Sequence, residues 1–189
     1  MTPCRILIAC VGNIFLGDEA FGVEVARRLA EIELPDGAQA VDFGIRGLDL
    51  AYALARGHEA VIPDDAAPLG GKPGTLYVLE LSPEDSDVQG DKNGVPLEAH
   101  QLDPVKVLRL ARALGGCTSR VYLVGCEPGS IDPSEDFGAE LSEPVRAAAF
   151  QAVPLIVALI ARLLRGEEIE AGGDTIIRHS ERETETCWN

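Results

Sequence analysis

The feature that most constrains this chain is a repeated switch of hydrophobic period. Residues 5–11, RILIACV, form an apolar, β-rich run, and after it Phe21, Val25, Leu29 and Ile32 recur at helical spacing while Glu24, Arg28 and Glu31 fall elsewhere. That is a strand feeding an amphipathic helix. The switch then repeats: 38–43 reads as a second strand, 48–56 as a short helix, 60–63 as the start of a third strand, 74–81 (GTLYVLEL) as a fourth after the turn LGGKPG, and 120–126 (RVYLVGC) as a fifth. Between the last two, Val107, Leu110, Ala111 and Leu114 mark one face of a helix starting around Pro104, with Lys106, Arg109 and Arg112 opposite. A final helix starts near Ser142, the expected N-cap, with Pro144 in its first turn. It is expected to bury Ala152, Leu155, Ile156, Leu159, Ile160 and Leu163 and to kink at Pro154. The alternation predicts an α/β fold: a single-domain three-layer sandwich with a mostly parallel five-stranded sheet, helices on both faces, and ligands at the carboxyl ends of the strands.

Bulk properties agree with one domain. A chain of 189 residues is long enough to bury about 70% of its unfolded surface in a single core. The domain is expected to span 1–166, with 82–98 a polar surface loop and 167–189 a disordered acidic tail of low apolar content. A formal charge of -15 repels nucleic acid and anionic lipid and favours cationic or metal-bearing partners. MTPCRILIACVG lacks a basic region followed by an apolar stretch and a cleavage site, so it reads as strand one of a cytoplasmic protein. The five cysteines have no CxxC spacing, which argues against a disulfide framework or a zinc ribbon, and Cys10 and Cys126 read as buried thiols. The longest apolar stretch, 147–161, is interrupted by Gln151 and Pro154 and falls short of the ~20 residues of a membrane span. It reads as a core helix.

If ligands bind at the strand ends, the polar residues just beyond each strand become the candidates. After strand one comes GNIFLGDEAFG, with Asn13, Asp18 and Glu19; after strand two Asp42, Gly44 and Gly47; after strand three Asp64 and Asp65; and His100 precedes the helix near Pro104. Carboxylates and an imidazole from separate loops make a mixed oxygen and nitrogen site suited to Ni²⁺ or Zn²⁺. Each residue also has a plain structural explanation. Asp18 or Glu19 would complement a helix N-terminus, Asp65 would accept a turn hydrogen bond, and His100 would sit on the surface near a helix start. Convergence on one sheet edge is what favours a site.

Several activities are excluded by pattern. GNIFLGDEAFG does not match G-x-G-x-x-G, and LGGKPG does not match the P-loop, so no nucleotide cradle is expected. There is no G-x-S-x-G elbow, no cysteine with a histidine near it in sequence, and no H-E-x-x-H.

Taken together, GNIFLGDEAFG, DFGIRGLDL, DDAAPLGGKPGT, the isolated His100 and the late pair VGCEPGS and LSEPV resemble, in order, the hydrogenase maturation proteases. The resemblance runs from about residue 5 to about residue 164. It implies a cytoplasmic endopeptidase that removes a C-terminal extension from the large-subunit precursor of a nickel-iron hydrogenase after nickel insertion. Carried over, Glu19, Asp65 and His100 are the implied metal-contacting and catalytic residues, with Asp64 the alternative to Asp65; Asp42, Gly44 and Gly47 would position substrate. Nickel is expected to arrive on the precursor, and the enzyme is expected to be a monomer with no nucleic-acid or membrane partner. Pro63, which cannot donate to a ladder, predicts that the third strand ends at an edge or bulge. Two rivals remain: a peptidyl-tRNA hydrolase-like enzyme, disfavoured by the acidic charge because phosphate contacts need basic residues, and a non-enzymatic chaperone that binds nickel-loaded precursor without shortening it.

Overall fold

The computed structural model describes residues 4–65, 70–81, 104–116, 120–129, 140–169 and 176–178. The strands are β1 (Ile6–Val11), β2 (Ala38–Gly44), β3 (Glu59–Asp65), β4 (Leu76–Leu81), β5 (Val121–Cys126) and β6 (Ile176–Arg178). The helices are α1 (Phe21–Leu29), α2 (Gly47–Leu54), α3 (Pro104–Ala113) and α4 (Glu143–Leu164), with a 3₁₀ turn at Gly17–Ala20 between β1 and α1. Strand order is β2-β1-β3-β5-β4-β6. The pairs β2-β1, β1-β3, β3-β5 and β4-β6 are parallel, and β4-β5 is antiparallel. The five expected strands are thus present in a mostly parallel sheet, extended at one edge by three residues.

Alternation along the strands divides the core into two layers. Ile6, Ile8 and Cys10 of β1, Val61 of β3 and Tyr122, Val124 and Cys126 of β5 pack with Phe21, Val25 and Leu29 of α1 and with the apolar side of α4. Leu7, Ala9, Val11, Ala60, Ile62 and Val121 pack on the other face with Leu50, Ala51 and Leu54 of α2 and Val107, Leu108 and Ala111 of α3. Hence a sheet buried on both faces, with near-continuous apolar strands. In α3 the inward residue is Leu108, while Leu110 and Leu114 stay substantially exposed. The buried face is rotated by part of a turn from the expected one, with Val107, Leu108 and Ala111 packed with Leu50, Ala51 and Leu54 of α2.

α4 is longer than the apolar run that signalled it. Its 22 residues satisfy the length and composition of a membrane-crossing helix, yet Ala152, Ile156, Leu159, Ile160 and Leu163 are buried against the sheet and α1. Leu155 is only partly buried. Each fully buried Ile or Leu contributes about 1.5–3 kcal/mol. The helix continues through Pro154, which is exposed along with Phe150 one turn earlier. The Phe150 carbonyl, deprived of its helical donor, therefore lies on the solvent side. The Arg28 guanidinium stacks on the Phe150 ring at 3.2 Å.

β3 departs from expectation at Pro63. The strand is central, and its pairing with β5 runs through Pro63, Asp64 and Asp65, opposite Val124, Gly125 and Cys126. Its pairing with β1 covers only Glu59, Ala60 and Val61. The missing proline N–H costs no ladder bond because β1 and β3 have already separated there. Into that gap comes the start of α1: a Cβ on Gly22 would stand 1.9 Å from the Val11 carbonyl oxygen and 2.5 Å from that of Pro63.

The segment after α4 is also partly built into the domain. Ile169 is 5% exposed and belongs to the α1–α4 core, and Ile176–Arg178 pairs with β4; the expected disordered tail therefore does not describe these residues. Removing residues 168–189 should lower Tm by about 4–8 °C, the equivalent of ~2 kcal/mol for the Ile169 side chain. Ile169→Ala in the full chain should reproduce most of that loss in a circular-dichroism melt; an unchanged Tm in both would show that the segment contributes nothing. Gly22→Ala should cost more, about 3 kcal/mol or upward and so at least ~6 °C, because backbone on two strands must move.

Candidate active site

In the order β2-β1-β3, the chain leaves β1 on one side for β2 and crosses back to β3 on the other. The crevice at the carboxyl ends of β1 and β3 is the topological switch point, where open α/β sheets bind ligands. Here β1 and β3 are also physically separated. The turn that follows β1 fills the mouth of this crevice.

That turn is closed by its own backbone. The Asn13 N–H donates to the Glu19 carbonyl at 2.9 Å, the Glu19 N–H to the Leu16 carbonyl at 2.9 Å, and the Leu16 N–H to the Asn13 carbonyl at 3.2 Å. The Asn13 side-chain carbonyl accepts from the Phe15 N–H at 3.1 Å, an Asx turn. Within this frame the two adjacent acids have different surroundings. Asp18 is 8% exposed and points into the protein. Its carboxylate accepts the Gly129 N–H at 2.8 Å, the Ser142 N–H at 2.7 Å and the Ser142 hydroxyl at 2.9 Å. Glu19 is half-buried on the 3₁₀ turn, which packs against β3. Ser142 precedes α4 as expected but makes no side-chain cap; its hydroxyl is spent on Asp18 instead.

The end of β2 is held by a different set of bonds. Asp42 pairs across the sheet with Cys10, and its Oδ1 accepts the Gly44 N–H at 2.8 Å. Gly44 has φ +52°, in the left-handed region that glycine adopts without strain. Its carbonyl accepts the Gly12 N–H at 3.1 Å, which ties the β2–α2 turn to the β1 turn. The Arg46 guanidinium donates to the Asp42 and Phe43 carbonyls, and Gly47 opens α2. Burial, and then the charge of Asp42, push the Cys10 thiol far above its ordinary pKa, so it is a neutral core group and not a nucleophile.

At the end of β3, Asp64 is 5% exposed and shares the strand face of Ala60 and Ile62, the α2–α3 face. Asp65 is the last strand residue, opposite Cys126; its side chain lies outside the described residues, as do His100 and the 82–98 loop. Among the described residues, no three His, Cys, Asp or Glu side chains are grouped closely enough to hold a metal ion. The structure therefore brings Glu19 and the carboxyl end of β3 to one crevice, and it sets Asp42, Gly44 and Gly47 on the neighbouring turn.

One buried acid was not anticipated. Glu127, just past β5, is 4% exposed. It accepts the Tyr77 hydroxyl at 2.9 Å and the Gly70 N–H at 3.2 Å, while its backbone exchanges two 2.8 Å bonds with Gly74 and Thr75. The side chain thus holds down the connection that follows Asp65. The only trace of it in the sequence is an acid directly after an apolar strand, a pattern that surface turns share.

Comparison with known proteins agrees with this geometry. The model of a family described as hydrogenase maturation protease matches residues 23–159. A hydrogenase expression/formation protein HupD of Rhodobacter capsulatus is 34% identical over 169 residues, covering 89% of this chain and 75% of the relative. The hydrogenase 2 maturation protease of Escherichia coli K12 is 33% identical over 130 residues, 68% of this chain and 76% of that one. Among solved structures, the hydrogenase maturating endopeptidase HybD from E. coli superposes with a TM-score of 0.66 at 29% identity, over 84% of this chain and 93% of that chain. A hydrogenase 2 maturation peptidase from a Thaumarchaeota archaeon superposes at 0.60 with 32% identity, over 83% and 98%. With its strand order, its crevice and these relatives taken together, this chain belongs to the hydrogenase maturation proteases and is a peptidase.

Proposed function

We propose that the protein removes the C-terminal extension of a nickel-iron hydrogenase large-subunit precursor after nickel has been inserted, with the bound nickel as its recognition mark. The observation that carries this reading is the pair of acidic strand ends at the switch point: Glu19 from the β1 turn and an aspartate from the end of β3. A crevice lined by acid suits a cation better than a phosphate. In this reading nickel is cargo of the substrate. Glu19, the β3 aspartate and His100 supply its additional ligands, and docking holds the scissile amide beside the carboxylates. Water adds to the amide carbon, the C–N bond breaks, and the departing amine takes up a proton. A carboxylate acting as general base would contribute about 10²–10⁴-fold.

The strand register bears on which aspartate takes part. Asp64 lies on the face covered by α2 and α3, and His100 precedes α3 in the chain. We therefore assign the β3 ligand to Asp64 rather than to Asp65, the residue favoured by the family resemblance. Asp42, whose carboxylate is bonded to the Gly44 N–H, shapes its turn, and Gly44 and Gly47 leave that turn's backbone open to substrate. The enzyme would act in the cytoplasm, as a monomer, on a protein partner.

Mass measurement of a co-expressed large subunit, with and without this protein, tests the activity: shortening is expected only with it. A precursor that is bound but never shortened would establish the chaperone reading. Glu19→Gln, Asp64→Asn and His100→Ala should each fold and each slow processing by at least ~100-fold, while Asp65→Asn should process near the normal rate. The opposite result for the two aspartates would return the role to Asp65.

Three donors on separate loops make a weak nickel site without the precursor's own thiolates. The purified protein should accordingly contain little metal and bind nickel-loaded precursor more tightly than nickel-free precursor. Added salt should slow their association, because the acidic field steers the encounter. Stoichiometric metal in the isolated protein, with equal affinity for both precursor forms, would indicate an ordinary metallopeptidase.

A further inference from the structure

Among the described residues, the buried Asp18 makes three hydrogen bonds, and all three reach across the fold. Gly129 follows β5 and Ser142 precedes α4, more than a hundred residues away in sequence. Two features of α4 explain why an acid is needed there. The helix makes no side-chain cap of its own. Its third residue is Val145, where a capping box would have Glu or Gln to accept the N–H of the N-cap residue. Asp18 Oδ1 accepts that N–H from outside the helix, at its positive end. A Cβ added to Gly129 would lie 3.1 Å from Asp18 Oδ2 and 3.2 Å from the Ser142 hydroxyl, so the cradle is closely fitted on that side too.

We propose that Asp18 is the positioning residue of the active site: by capping α4 in trans it fixes the 3₁₀ turn, and with it the direction in which the next residue, Glu19, presents its carboxylate. The inference rests on the reading of Glu19 as a contact to precursor-borne nickel. Asp18 itself is turned away from substrate and is not a catalytic residue. The bonds from the Asn13, Phe15, Leu16 and Glu19 N–H groups are local to the turn, and the three bonds to Asp18 tie it to Gly129 and to the start of a rigid helix. Asparagine in its place keeps one acceptor oxygen, but in either orientation its NH₂ group faces a backbone N–H, of Ser142 or of Gly129, that requires an acceptor. Alanine at Ser142 removes only the hydroxyl donor and leaves the backbone bond.

The test uses full-length protein with co-purified large-subunit precursor in nickel-loaded and nickel-free forms. It compares the ratio of the two Kd values and the single-turnover cleavage rate at saturating precursor. Asp18→Asn should lower both by about tenfold or more, the scale of one lost hydrogen bond to a charged group. Ser142→Ala should give a smaller loss of the same kind. Ile160→Val, a core change remote from the turn, lowers Tm without touching it and should leave the ratio at the wild-type value. A role confined to stability would instead make the ratio follow Tm across all three variants, and that result overturns the proposal. So does an Asp18→Asn protein with wild-type ratio and rate. If Asp18→Asn does not fold, Ser142→Ala decides: a reduced ratio at unchanged Tm supports positioning, and an unchanged ratio refutes it. A wild-type protein that cleaves without distinguishing the two precursor forms removes the nickel reading and this inference together, whereas failure of the variants alone removes only the inference.

Discussion

The fold depends on how closely α1 approaches the sheet. At Gly22 the helix backbone comes so near the carbonyls of Val11 and Pro63 that no side chain could be inserted. This contact sits where β1 and β3 have stopped pairing. The separation leaves Pro63 without an obligation to donate a ladder bond, gives α1 a seat, and opens the crevice at the switch point. A proline that reads as a defect in a central strand is thus compatible with one because a neighbouring helix occupies the space.

Around the crevice, carboxylates are held by uncharged donors. Asp18 is bonded by two backbone N–H groups and a hydroxyl, Asp42 by the Gly44 N–H, and Glu127 by a tyrosine hydroxyl and the Gly70 N–H. Backbone donors pay the desolvation of a buried acid without adding a cation that would neutralise the edge. The bonds to Asp18 also join the loops that surround the crevice to one another. Other arginines pair with acids away from Asp18, as Arg27 and Arg28 do with Glu24 and Arg120 with Glu59. Such solvent-screened pairs contribute little to stability.

Much of the architecture was legible because period is a local property. The first five strands and four helices are announced by short apolar runs and by helical spacing or cap signals, and boundaries fall within a few residues of where the pattern changes. The misreadings have a shared cause. Leu110 and Leu114 look like core residues on a wheel, but it is Val107, Leu108 and Ala111 that pack with α2. Ser142 is the N-cap residue, as expected, but its hydroxyl bonds a carboxylate from another loop and not the helix. Ile169 and Ile176–Arg178 lie in a stretch whose polar average composition does not reveal the burial of Ile169 or the pairing of Ile176–Arg178 with β4. In every case the deciding partner is distant in sequence.

By itself, the sequence determined the alternating α/β pattern, the location of acid residues at strand ends, and membership of a peptidase family, since hydrophobic period and motif order need no knowledge of contacts. Tertiary structure decided how two neighbouring acids divide their roles. Asp18 and Glu19 are equivalent as letters, one after the other in a glycine turn. Only the packing of α4 and the β5 connection against that turn supplies three donors to the first, and because successive residues on a 3₁₀ turn point in different directions, the second cannot share them.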